Sequence, residues 1–177
     1  TKPMLSDFEE KTGKKGLMIS AVDLLKGIAV GAGMGIAQVE GANGGLHTNY
    51  EGKARAAVEG LLHQGYDFAY IHVEAPDEMG HQGSVEKKVQ AIEYLDDRVI
   101  RPVVEAMDQS GEDYRLLILP DHPTPIRVRT HTADNVPYLL YDSRKDLQSD
   151  RGYHEEEAAG GPFVEQGYEL INILFSE

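Results

Sequence analysis

Apolar positions along this chain come in short blocks, separated by longer stretches in which they recur every three or four residues. Residues 17–19, 68–73 and 114–119 are short apolar runs bounded by Gly, Pro or Asp, a pattern that predicts buried strands. Residues 136–141 predict another, and 36–39 form a further apolar stretch before the turn-rich segment 41–45. Residues 51–64 predict a helix closed by Gly65. Val85, Val89, Ile92, Leu95, Val99, Val103 and Met107 share one helical face, which predicts a long amphipathic helix with Ser84 as its cap. Pro102 is expected to kink or split that helix, because proline supplies no backbone N–H. A short polar helix or loop closing at Gly13 is expected over 7–15, a short helix over 21–27 after Ser20 as N-cap, and a closing helix over 164–175. Strands alternating with helices predict an α/β architecture in which a mainly parallel sheet is flanked by helices. The polar segment 142–161 is expected to be an exposed excursion, with Glu155–Glu157 a solvated face.

Composition narrows the function classes. Lys and Arg total 17 against 30 Asp and Glu, a formal net charge of −13. Such a surface repels nucleic-acid backbones, so no nucleic-acid partner is expected. An anionic substrate would need local positive charge from metal ions or from a few placed Arg and Lys. Cysteine is absent, which excludes thiolate ligands and thiol nucleophiles and leaves metals to oxygen and nitrogen donors. No apolar run reaches the roughly 18 residues of a membrane span, and the N-terminal residues lack the pattern of a secretory signal. A cytoplasmic location without membrane partners is therefore expected. The chain starts at Thr1, and we expect it to be one part of a longer protein.

The candidate chemistry lies after the predicted strands. Asp77 and His81 follow the 68–73 run, Asp121 and His122 follow the 114–119 run, and His131 precedes the 136–141 run. In open α/β sheets, ligands gather beyond the carboxyl ends of the strands. A single Asp or His in a loop is more often a cap or a surface residue. Several of them after successive strands instead point to a site for one or two divalent ions. A mixed carboxylate and imidazole set suits Mn, Zn or Fe better than Ca. The glycines at 31, 33 and 35 do not have the G-x-G-x-x-G spacing and no Walker lysine follows, so they are assigned to close packing. His72 is expected to be a hydrogen-bonded core or interface histidine. His47 and Asn49 fit turn chemistry as well as a pocket lining, and they stay outside the ligand set.

Asp77-Glu-Met-Gly-His81, Asp121-His122-Pro-Thr-Pro and Arg129-Thr-His131-Thr-Ala-Asp134, followed by Val136-Pro-Tyr, resemble cofactor-independent phosphoglycerate mutases of the archaeal type, within the alkaline phosphatase superfamily. The resemblance also takes in residues 41–50 and the closing Gly167-Tyr-Glu-Leu. It implies a partial alkaline-phosphatase-like core, with residues 1–177 forming one metalloenzyme domain. It further implies that Asp77, His81 and His131 hold one ion, while Asp121 and His122 hold a second together with an aspartate and a nucleophilic serine. Lys26 matches a lysine that neutralises the transferring phosphate. The implied substrate is a small phosphorylated acid, and association between copies stays open.

The chain departs from that pattern at its start. No strand ending in Asp precedes residue 17, and Ser6, Ser20 and Ser84 sit where caps or loops are expected. The resemblance therefore implies roughly the C-terminal half of such an enzyme, lacking the nucleophile and without turnover alone. Two alternatives remain at this point: another phosphatase or phosphotransferase of the same superfamily, homoserine kinase-like proteins included, and a folded piece without catalysis.

Overall fold

The computed structural model describes residues 4–145 and 149–177. Helix α1 (Phe8–Thr12) starts at Asp7, whose side chain accepts from the Glu10 amide, and stops at Gly13 in the left-handed region. Strand β1 (Gly16–Ile19) follows, then α2 (Asp23–Gly31) and the two-residue β2 (Gly35–Ile36). Helix α3 (Tyr50–His63) leads to β3 (Phe68–Ile71). β1 pairs in parallel with β2 on one side and with β3 on the other, giving the order β2-β1-β3.

Ser20 is not the cap of α2. Val22 holds that position, while the Ser20 hydroxyl accepts from the Val22 amide at 3.0 Å. The helix also runs four residues past the expected end at Gly27, to Gly31.

The long periodic stretch is continuous but changes register. α5 (Val85–Leu95), capped by Ser84, passes through a π turn (Asp96–Ile100) into α6 (Arg101–Ser110). Pro102 cannot donate a backbone hydrogen bond, so α-type bonding fails at this turn. The Arg101 amide bonds instead to the Asp96 carbonyl, five residues back. Proline thus neither splits nor ends the helix. It occupies the first turn of α6, where a missing N–H costs little.

Helix α3 is packed on two sides. Ala57 meets Leu17 and Ile19 of β1, while Tyr50 and Ala54 meet Met79, Ala91, Val99, Val103 and Met107 of the helical layer. Small residues permit this double contact, and a Cβ at Gly60 would collide with the Leu17 side chain. Arg98 lies 4.9 Å from the centroids of both the Tyr50 and Tyr94 rings and pairs with Glu51 at 2.5 Å. That ion pair is part-exposed and contributes roughly 0–1 kcal/mol. Burying an aromatic ring is worth about 2–3 kcal/mol, so the completely buried Tyr50 dominates this joint.

Beyond α6 the sheet differs from the expectation. β4 (Arg115–Ile118) pairs antiparallel with β5 (Leu139–Asp142) as a separate two-stranded sheet. The register sets Arg115 opposite Asp142, and the Arg115 Nε donates to the Asp142 carboxylate at 2.9 Å. Helix α7 (Glu155–Ala158) is short and exposed, and a 3-10 turn (Gly167–Glu169) introduces α8 (Leu170–Phe175). The closing helix is thus shorter than the predicted 164–175. Phe175 of α8 packs against Phe8 and Phe68, at centroid distances of 6.1 and 5.2 Å. Within the segment expected to be an exposed excursion, Asp142 is buried and belongs to β5, and residues 146–148 lie outside the described residues.

No described helix is long and apolar enough to cross a membrane. The accessible surface, 11352 Å², exceeds the roughly 8,500 Å² of a compact monomer of this mass. Leu24, Ile28 and Val30 on α2, and Val85, Val89 and Ile92 on α5, are among the exposed apolar residues.

Asp142 also accepts from the Arg144 guanidinium, and Lys145 stands 3.8 Å away. Its bonds to Arg144, joined by Arg115, hold its carboxyl well below the usual carboxylate range. A carboxyl depressed on folding stabilises fully above the unfolded value of about 3.9, and that contribution is lost as pH falls through the lowered folded value. Asp142→Asn should therefore lower the melting temperature at pH 7. The gap from the unsubstituted chain should narrow as melting curves are taken from pH 5 towards pH 2.

Candidate metal centre

Residues 74–81 hold the first part of the site. Pro76 sits in the opening turn of α4 (Ala75–His81), where its fixed φ suits a helix start. The helix places Asp77 and His81 four residues apart on one face. The Asp77 Oδ2 lies 3.3 Å from the His81 Nε2.

The second part is the segment after β4. Pro120, Pro123 and Pro125 limit its backbone, and the Thr132 amide donates back to the Pro123 carbonyl at 3.1 Å. That reversal sets the His131 ring against His122, with centroids 3.7 Å apart. The His131 Nε2 lies 3.2 Å from the Asp77 Oδ1 and 3.2 Å from the His81 Nε2. Asp77, His81 and His131 thus offer three donor atoms within 4.8 Å of one another.

The proton positions follow from partners. The His81 Nδ1 is 3.0 Å from the Arg129 carbonyl, which can only accept, so Nδ1 carries the hydrogen. The His81 Nε2 is then left with its lone pair, directed at a carboxylate oxygen and at a second imidazole nitrogen. The His81 lone pair and the Asp77 oxygen repel at this range unless a cation, or a hydrogen on the His131 Nε2, lies between them. The donor set fits a borderline divalent ion, and the bond from His81 to a carbonyl is the outer support that histidine ligands commonly have. Arg129 has φ 60°, and no other non-glycine among the described residues has positive φ. A left-handed backbone costs an L-residue of order 1 kcal/mol or more, and here it accompanies the carbonyl that orients His81.

Asp121 and His122 adjoin this trio without belonging to it. The Asp121 Oδ1 is 3.4 Å from the His122 Nε2 and also accepts from the His122 amide at 3.1 Å. Lys26 lies on α2, with its Nζ 3.6 Å from Asp23. The structure therefore brings three of the six candidate residues into one cluster, sets two beside it, and gives Lys26 an ion pair on its own helix.

Four contributors escaped the reading of the sequence. Thr124, 4% exposed, donates its hydroxyl proton to the Asp77 Oδ1. Lys88 on α5 donates to the Thr124 carbonyl at 2.6 Å. Arg129 acts through its backbone, as described. Lys53, fully buried on α3, donates to the His72 carbonyl at 2.9 Å, at the end of β3 and just before α4. Burial pushes the Lys53 ammonium down, opposed by Glu74. Lys53 did have a sequence signal, since it shares the face of Tyr50, Ala54 and Ala57. His72 is a hydrogen-bonded, part-buried residue, its Nδ1 3.2 Å from the Ser20 hydroxyl. Burial lowers its pKa, and Asp121 leads the charges that oppose this.

Fold and site together define a metalloenzyme. The chain belongs to the Metalloenzyme superfamily, whose description matches residues 1–173. It is 47% identical over 174 residues to the 2,3-bisphosphoglycerate-independent phosphoglycerate mutase of Methanosarcina mazei, covering 97% of this chain and 43% of that protein. The corresponding protein of Saccharolobus solfataricus is 40% identical over 174 residues, with 97% and 41% covered. The solved structure of the PH0037 protein from Pyrococcus horikoshii superposes with a TM-score of 0.82 at 30% identity, covering 100% of this chain and 54% of that one. The chain thus spans about two-fifths of the length of these curated relatives.

Gly80 sets the spacing between the two parts of the site. A Cβ there would lie 2.5 Å from the Thr124 carbonyl oxygen, a backbone atom that cannot move aside without shifting the segment. Gly80→Ala should lower the thermal midpoint by several degrees, in line with a cost of about 1–3 kcal/mol for overpacking. In a crystal structure of the variant, His131 should be displaced from Asp77.

Proposed function

We propose that this chain is the metal-binding part of a cofactor-independent phosphoglycerate mutase, an isomerase that interconverts 3-phosphoglycerate and 2-phosphoglycerate, acting in the cytoplasm. The observation that carries the reading is the convergence of Asp77, His81 and His131 in a chain 47% identical to proteins named as such mutases. In this reading Asp77, His81 and His131 hold one divalent ion of the Mn or Zn kind. Asp121 and His122 contribute to a second ion that needs further ligands. Bound divalent ions would polarise a phosphoryl oxygen and offset the charge that develops on it. The chain's own residues then have distinct tasks. His81 and His131 present imidazole lone pairs, Asp77 supplies the carboxylate between them, and Lys26 offers positive charge towards a phosphate from the β1–α2 side.

The phosphoryl-accepting serine is not assigned to any described residue. Ser20 stands 3.2 Å from the His72 Nδ1 while its hydroxyl oxygen accepts from the Val22 amide, and Ser84 caps α5. Both are occupied structurally. The relatives are more than twice as long as the segment they share with this chain, and the activity is proposed for a protein of their length.

The test is an assay of 3-phosphoglycerate conversion in such a full-length protein, run beside hydrolysis of an aryl phosphate. Conversion should far exceed hydrolysis, whereas the reverse would favour a phosphatase of the same superfamily. Outer-sphere supports of metal ligands typically matter by 10–100-fold, so removal of a ligand should cost at least about a hundredfold. His81→Ala should accordingly lower kcat/KM by about that factor or more. The 177-residue chain alone should show no mutase turnover.

A further inference from the structure

The polar contacts that join the 120–132 segment to helices α4 and α5 are of two kinds. Among the described residues, the Thr124 hydroxyl, the Arg129 carbonyl and the His131 ring all meet side chains of Asp77 or His81. The Thr124 carbonyl is the exception, since it accepts from the Lys88 ammonium at 2.6 Å. That contact uses no atom of the trio. It is therefore independent of whether Asp77, His81 and His131 hold an ion.

The surroundings of this carbonyl explain why a lysine meets it. Pro123 and Pro125 flank Thr124 and offer no N–H, while the Arg129 and Thr132 amides are taken by the carbonyls of Pro125 and Pro123. Thr124 is buried, and a buried carbonyl needs a donor. Gly80 on α4 leaves a gap there: a Cβ would lie 2.5 Å from the Thr124 oxygen and 3.0 Å from the Lys88 Nζ. A long, unbranched side chain from α5 fits that gap and ends in a donor. Lys88 stands one turn past the Ser84 cap, its own amide bonded to the Ser84 carbonyl. Burial pushes its ammonium down, and the Asp77 carboxylate leads the charges that oppose this.

We propose that Lys88 is a positioning residue, a pin that holds the 120–132 segment on α4 and α5 and so sets His131 against Asp77 before any ion binds. The pin stands on hydrogen bonding and burial alone. Its bearing on metal binding rests on the reading of Asp77, His81 and His131 as ligands.

Lys88→Met keeps the stem and removes the donor, while Lys88→Arg keeps a charged donor. Amide hydrogen exchange of the metal-free 177-residue chain, read peptide by peptide in a mass spectrometer, separates the segment from the core. Loss of a hydrogen bond from a charged donor should speed exchange within 120–132 by about 10–100-fold in Lys88→Met. Exchange in α3 and β1 should be unchanged, and Lys88→Arg should match the unsubstituted chain throughout. Unchanged exchange across 120–132 in Lys88→Met would overturn the proposal. So would an equal acceleration in α3 and β1, which would make Lys88 a general stabiliser, or fast exchange of the segment in Lys88→Arg.

Calorimetric titration with Zn²⁺ is the second arm. A segment docked only part of the time lowers the apparent affinity by the docked fraction. Lys88→Met should bind about tenfold more weakly, the lower end of what outer supports of metal ligands contribute, and Lys88→Arg as tightly as the unsubstituted chain. Saturating Zn²⁺ should also slow exchange within 120–132 in Lys88→Met, because His131 is then tied to α4. Equal affinity in Lys88→Met, or exchange that Zn²⁺ leaves fast, would overturn the bearing on metal binding. If the unsubstituted chain bound no Zn²⁺ while exchange behaved as expected, the ligand reading would fall and the pin would stand.

Discussion

Helix α3 must touch the parallel sheet and the helical layer at once, and most of the molecule is arranged around that constraint. A helix packed on two sides has room for few large side chains. Ala54, Ala57 and Gly60 meet that demand, while Tyr50 fills the space on the helical side. From the same helix Lys53 reaches the carbonyl of His72, where β3 hands over to α4. Position of the sheet edge, direction of α4 and placement of Asp77 and His81 thus share one origin. The aromatic contact among Phe8, Phe68 and Phe175 ties the C-terminal helix to the same sheet from the other end of β3.

Electrostatics at the site oppose that economy of packing. In a chain with net charge −13, a carboxylate and two imidazole nitrogens converge, and a second carboxylate stands nearby. The surroundings make the arrangement tolerable by spending fixed donors on it: the Thr124 hydroxyl on Asp77, and the His122 amide on Asp121. His131 is about half exposed, so water and small anions can approach from that side.

Much of the frame was legible in the sequence, for physical reasons that differ by element. β1, β3, α3 and the Ser84 cap follow from local rules of burial, periodicity and capping, and these rules operate within a few residues. Helix α4 was not among the helices read from the sequence, because Pro76 and Gly80 resemble loop punctuation. Proline suits the first turn of a helix, and the glycine answers to Thr124, more than forty positions away. The antiparallel pairing of β4 with β5 was not legible, since apolar runs carry no direction. Ligand types at 77, 81 and 131 stood out by chemistry. Thr124 and Arg129 did not, because a hydroxyl and a backbone carbonyl gain their roles only from the groups that fold against them. The π turn lies between: Pro102 announced a disturbance, but neighbouring backbone bonds decided its form.

The chain contains no tryptophan, which gives the Tyr50–Tyr94 pair an optical significance. Their rings meet edge-on at 5.6 Å beneath the Arg98 guanidinium, across the joint between α3 and α5. Emission and near-ultraviolet dichroism of this protein come from tyrosine and phenylalanine alone. A coupled, asymmetrically held tyrosine pair contributes to that spectrum out of proportion to its number. The core thus carries its own chromophore, on an element that supplies no candidate ligand. Loosening of the helical layer would therefore leave a near-ultraviolet trace without any label, whereas a rearrangement confined to the histidine cluster, which has no chromophore in that range, would not.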